Sequence, residues 1–92
     1  MIASFRHKGL KRLYEEDDRS RLPPDMANKI RLILGALDVA ERVEDLDQPT
    51  FRLHPLTGDL RGLWSVTVRA NWRVVFRFED SCAYDVDFVD YH

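Results

Sequence analysis

The stretch Trp64-Ser65-Val66-Thr67-Val68-Arg69-Ala70-Asn71-Trp72-Arg73-Val74-Val75-Phe76-Arg77-Phe78-Glu79-Asp80-Ser81 decides the fold. Trp64, Val66, Val68 and Ala70 alternate with Ser65, Thr67, Arg69 and Asn71, and Val74, Phe76 and Phe78 alternate with Arg73, Val75, Arg77 and Glu79. A period of two sends successive side chains to opposite faces of a strand, so each run has one apolar and one polar face. Asn71 sits in the turn before Arg73 and Asp80-Ser81 supplies a second tight turn, after which Tyr84, Val86 and Phe88 alternate with Asp85 and Asp87. Upstream, Phe51 to Leu53 reads as one more short strand, and Ile2 to Phe5 is short, apolar and compatible with another.

Between those outlying strands the period changes. Leu10, Leu13 and Tyr14 fall at i, i+3 and i+4 within His7 to Glu16, one face of a helix whose first turn Gly9 weakens. A second helix is expected from Asp25 to Ala40, with Pro24 at its first position, Asp25 at the positive end of its dipole and Met26, Ile30, Ile33, Leu34 and Leu37 facing the core. Val43 to Leu46 adds a short turn before Pro49 breaks the chain. Helices followed by strands on short turns give an α+β domain of two layers, an antiparallel sheet of four to five strands with two to three helices on one face. At 92 residues this is one domain, spanning 1–92.

Composition narrows the function. A chain 45% hydrophobic and 33% charged folds around one core, and no apolar stretch is long enough to span a membrane or serve as a signal peptide, which points to the cytoplasm. Cys82 is the single cysteine, so neither an internal disulfide nor a cysteine metal site can form. The formal net charge of −2 argues against gripping nucleic acid by bulk charge. Any such binding must be local, and two local patterns exist: Arg6, Lys8, Lys11 and Arg12 near the start, and Arg69, Arg73 and Arg77 at every fourth position.

Those three arginines belong to the polar strand face, where the core has no use for them. A guanidinium fork matches phosphate oxygens, but on the residues alone a solvated cross-strand charge ladder with Asp85 and Asp87 is the favoured account of them. His54 is held extended by Pro55 at the head of a loop with Gly58 and Gly62, and Asp90-Tyr91-His92 continues the last strand.

Leu53-His54-Pro55-Leu56, Gly58-Asp59, the run from Trp64 to Arg73, and Asp90-Tyr91-His92, preceded by Phe5 and His7-Lys8-Gly9-Leu10, together resemble the HigB branch of the RelE/ParE toxin superfamily. The resemblance implies a type II toxin, a metal-independent and cofactor-free endoribonuclease that enters the A site of the 70S ribosome and cuts messenger RNA. It also implies a HigA-like helix-turn-helix antitoxin as partner. In such an enzyme the ribose 2′-hydroxyl attacks the adjacent phosphate. His54 and His92 would then share the acid and base roles, Arg73 and Arg69 would hold the phosphate, Asp90 would orient a histidine or accept a proton, and Tyr91 would stack or donate. Arg6, Lys8, Asn71, Thr57 and Arg77 are the further candidates for RNA contact. Thr57 stands where relatives often carry a lysine, which implies cleavage slower by about 10²-fold. The same superfamily includes inhibitors of DNA gyrase that cut nothing; His54 together with Asp90-Tyr91-His92 speaks for the nuclease. A divalent metal on His54, Asp90 and His92 lacks the close ligand spacing such sites use.

Overall fold

A computed structural model describes residues 1–91. Helices α1 (Lys8–Glu16) and α2 (Ala27–Val39) precede strands β1 (His54–Pro55), β2 (Trp64–Arg69), β3 (Trp72–Glu79) and β4 (Cys82–Asp90), with 3-10 turns at Val43–Leu46 and Gly58–Leu60. The strands form an antiparallel sheet in the order β1-β2-β3-β4, within the expected α+β architecture. Ile2 and Phe5 bridge in parallel to Ala83 and Val86, so the first residues lie along the outer border of β4 without forming a continuous strand. The expected strand at Phe51 to Leu53 falls later, at His54–Pro55. Arg52 takes a left-handed conformation (φ 51°), and of that stretch only the Phe51 carbonyl reaches β2, accepting from Thr67 N–H at 2.7 Å.

The core lies between the helices and one sheet face: Leu10, Leu13, Ile30, Ile33, Leu34 and Leu37 above, Val66, Val68, Val74, Phe76, Val86 and Phe88 below. Trp72 stacks on Phe88 with centroids 4.8 Å apart. Helix α2 starts two residues later than expected, because Pro24 to Met26 form a turn in which Met26 and Ala27 both donate to the Pro23 carbonyl. Asp25, expected at the helix dipole, instead makes an ion pair with Arg69 at the end of β2. Tyr14 sits at the margin of the α1 apolar face, with its ring against Phe5 and its hydroxyl donating to Asp38 at 2.6 Å. That bond and the nearby negative charge raise the Tyr14 pKa above the usual phenol value.

Two bulges correct the strict alternation. Between Val75 and Arg77 the pairing with β4 slips by a residue at Asp85 (φ 54°), whose N–H is taken up by Ser4 Oγ at 2.8 Å. The extra residue inverts the phase upstream. Ala83 therefore faces the core, and Tyr84, expected there, turns outward to place its ring 4.5 Å under the Arg77 guanidinium. A second slip, between Thr67 and Arg69, turns Arg69 from the Arg73 row to Asp25. The outer face is also less open than alternation implies. The loop ahead of β2 folds over it, and Leu56, Ser65 and Val75 are buried.

The His7 side chain caps α1. Its Nδ1 accepts from the N–H groups of Gly9 (3.0 Å) and Leu10 (3.3 Å), and its ring meets Phe88 edge-on. A side chain at Gly9 would bring its Cβ to 2.8 Å from His7 Cε1, so the glycine expected to weaken this turn makes room for the cap. His7→Ala is expected to cost about 1 kcal/mol in urea unfolding, with His7→Asn recovering part of it. Equal losses in the two variants would show that packing on Phe88, not capping, is what His7 provides.

Candidate active site

The meander gathers the outer row of side chains. His54 on β1 is the register partner of Ser65, Thr67 is the partner of Arg73, and Arg73 is the partner of Val89. Tyr91 follows Val89 by two residues, and its N–H donates to the Asn71 carbonyl at 2.7 Å, tying it to the turn between β2 and β3. The product is a cleft of about 360 Å³ lined by Arg52, His54, Thr67, Ala70, Arg73 and Tyr91. Strand geometry places the backbones of His54 and Arg73 roughly 10 Å apart across the sheet and roughly 7 Å along it, within reach of two side chains meeting at one small group.

The three spaced arginines have different fates. Arg77 lies against Glu79 (2.7 Å) and Asp85 (3.9 Å), and Arg69 is paired with Asp25. The charge-ladder account therefore holds for Arg77. Arg73 makes no ion pair among the described residues; its guanidinium carbon lies 5.8 Å from the Tyr91 ring centroid. Its Nε is buried without a hydrogen-bond partner among the described residues, as are Ser65 Oγ and Thr67 Oγ1 on the neighbouring strand. Buried polar atoms are nearly always paired, so these three, on adjoining strands, stand out from the rest of the sheet.

Of the remaining candidates, Asp90 occupies the register position opposite Trp72, one step out of the row of Arg73. Asn71 contributes its carbonyl, and its side chain is exposed. Thr57 precedes the 3-10 turn Gly58–Leu60 and is exposed outside the cleft lining. Arg6 and Lys8 are exposed near the opposite border of the sheet, where the first residues run beside β4. His92 lies outside the described residues.

Sequence reasoning missed Arg52, which lines the cleft and an adjoining hollow that adds Lys29 and Arg69. Arg73, Arg52, Arg69 and Lys29 thus follow one continuous depression on a protein whose net charge is negative. Its position two residues before His54 was the available signal. A larger hollow, about 620 Å³ on the outer face of α2, has Arg31 as its one ionisable lining group and so offers no acid-base pair. Among the described residues no three His, Cys, Asp or Glu side chains gather as a metal ion would need, and no helix is long and apolar enough to cross a membrane.

Comparison with known proteins gives consistent matches. Residues 3–92 match the family of HigB-like toxins, described as the RelE-like toxin of type II toxin-antitoxin system HigB. The chain is 46% identical over 92 residues to Endoribonuclease HigB of Proteus vulgaris, covering all of both chains. To Toxin HigB-1 of Vibrio cholerae serotype O1 it is 34% identical over 94 residues, covering 100% of this chain and 98% of the relative. Among solved structures, the YoeB-YefM complex from Staphylococcus aureus shares the fold with a TM-score of 0.58 at 15% identity, covering 100% of this chain and 98% of that one.

If Arg73 is held for a ligand and not for the fold, Arg73→Met removes an orphaned donor and leaves urea-unfolding stability unchanged or up to about 1 kcal/mol higher. A loss larger than about 1 kcal/mol would identify Arg73 as a structural residue.

Proposed function

The chain belongs to the HigB-like family of RelE-like toxins of type II toxin-antitoxin systems, and from that premise we propose that it is a ribosome-dependent endoribonuclease cutting messenger RNA in the A site. The observation that carries this reading is the convergence of His54, Tyr91 and an Arg73 without an ion pair on one cleft. The endoribonuclease name of the Proteus vulgaris relative, identical at 46% of positions, supports it.

The reaction needs three things of the protein. A base takes the proton of the ribose 2′-hydroxyl, which then attacks the adjacent phosphorus. A cation meets the extra negative charge of the pentacoordinate phosphorane. An acid delivers a proton to the departing 5′-oxygen, leaving a 2′,3′-cyclic phosphate. His54 and His92 are the two proton carriers, since an imidazole ring has one nitrogen that can accept a proton and one that can donate it. The Arg73 guanidinium faces the phosphate, each charged hydrogen bond contributing about 1.5–3 kcal/mol. Tyr91, whose ring already lies near Arg73, stacks on a base or donates its hydroxyl. Asp90 orients a histidine or accepts a proton.

Arg52, Arg69 and Lys29 continue the cationic depression away from the scissile phosphate and hold flanking phosphates without reading sequence. Arg6 and Lys8, with Lys11 and Arg12, contact ribosomal RNA, while Arg77 keeps mainly its role among Glu79, Asp85 and Tyr84. None of these steps requires a metal. The partner is a HigA-like helix-turn-helix antitoxin; the toxin-antitoxin family and the fold neighbour, itself a YoeB-YefM complex, support an antitoxin of some kind. Ribosomes as substrate platform place the action in the cytoplasm.

Purified protein incubated with programmed 70S ribosomes should cut the message within the A-site codon, with cyclic-phosphate ends. Intact message would end the nuclease reading. His92→Gln is expected to abolish growth inhibition with little change in thermal stability; retained toxicity would remove His92 from the reaction. Arg73→Ala is expected to slow cutting by about 10²- to 10³-fold. Thr57→Lys should raise the rate if the loop cation of relatives contributes there, and an unchanged rate would show that Arg52 or Arg73 suffices.

A further inference from the structure

Beside the cleft, and sharing Tyr91 with it, lies a smaller and more enclosed hollow of about 210 Å³. Leu60 and Leu63, from the loop ahead of β2, face Val75 and Val89 on the sheet across it, and Asp87, Asp85 and Arg6 supply its polar lining. Asp85 is occupied by Arg77 at 3.9 Å. Asp87 is held differently. Its Oδ1 accepts the N–H of Phe88 at 2.9 Å, which fixes the carboxylate, while no described residue makes an ion pair or another side-chain hydrogen bond with it.

We propose that this hollow is a nucleobase subsite that favours a base carrying an exocyclic amino group over uracil, with Asp87 as the discriminating residue. The proposal rests on the nuclease reading of the adjoining cleft. Facing aliphatic walls suit a flat ring, and a fixed carboxylate at the edge accepts from the amino group of adenine, cytosine or guanine. Uracil has no amino group, and its one donor on that edge, N3–H, lies between two carbonyls whose lone pairs are brought against the carboxylate, so its hydrogen bond to Asp87 is opposed where that of an amino group is not. The placement fits a nucleotide whose phosphate sits at Arg73. Val89 is the register partner of Arg73, and Asp87 lies two residues along β4, roughly 7 Å away. Arg6 at the rim offsets the repulsion between two carboxylates and an approaching polyanion. The same Arg6 argues against a cationic protein side chain as the occupant, because an inserted lysine or arginine would meet it directly.

Asp87→Asn tests the idea, since the asparagine oxygen can still accept from Phe88 N–H while its amide donates to a uracil carbonyl. Cut sites are mapped on ribosomes programmed with messages randomised around the A-site codon, for the unaltered protein and for Asp87→Asn. The unaltered protein should disfavour uracil at one position, and the variant should raise the share of uracil there about ten-fold. This ratio is internal to each library and independent of overall rate. Identical base preference in both proteins overturns the proposal, and so does a variant whose only change is weaker antitoxin binding. In parallel, AMP, CMP, GMP and UMP are titrated into the protein while the amide resonances of Val75, Asp87 and Val89 are followed. The three amino-bearing nucleotides should perturb them at lower concentration than UMP, and the difference should vanish in Asp87→Asn. Equal response to all four, or to none, overturns the subsite even when cutting occurs. Absence of cutting sinks the nuclease reading while the titration still decides the subsite.

Discussion

A sheet covered by helices on one side commits half of its side chains to the core and leaves the other half without that use. Everything specific to this protein follows from where the second half points. Because β2, β3 and β4 are joined by two-residue turns, their register is tightly set. Register then puts Thr67, Arg73 and Val89 in line, with His54 and Tyr91 on either flank. The site is therefore a by-product of strand pairing, held by the most buried part of the molecule.

Ser65 Oγ, Thr67 Oγ1 and Arg73 Nε are buried and unsatisfied among the described residues, and each such atom costs about 1–3 kcal/mol relative to a paired one. Arg69 and Arg77, with the same residue type and regular spacing, are both neutralised by carboxylates. The contrast explains how a chain of net charge −2 keeps a cationic depression. Asp25, Glu79 and Asp85 are engaged by Arg69 and Arg77, and many of the other acids lie on or beside the helices, whereas Arg73 makes no ion pair among the described residues.

Periodicity made most of the architecture legible. The apolar phases of α1, α2 and β3 are those the chain shows, as is that of β2 through Val68, while Ala70, expected on the same face, is exposed in the turn; the sheet with its helical cover follows from them. What alternation misassigned lies at the two bulges. One extra residue at Asp85 turned Tyr84 outward, and one at Val68-Arg69 took Arg69 to Asp25. Neither site carries a glycine, the residue that would have announced it, and each left-handed conformation nearby is borne by an aspartate or alanine. Val75 in the polar phase was the trace of the overlying loop. Of the residues lining the candidate cleft, His54, Arg73 and Tyr91 were named by the resemblance, whereas Arg52 was not, its nearness to His54 in sequence being the one trace of it and its left-handed backbone before a two-residue strand following no period.

The borders of the sheet have a consequence for how copies of this protein treat one another. One border is a strand of two residues that includes Pro55, which has no N–H to offer. The other is occupied from Ala83 to Val86 by Met1 to Arg6, and just beyond it Phe88 N–H is already satisfied by Asp87. Among the described residues, neither side presents the long ladder of vacant backbone groups on which neighbouring chains stack into fibrils. A protein of this design resists aggregation through its edges, and any companion that binds it must read its side chains.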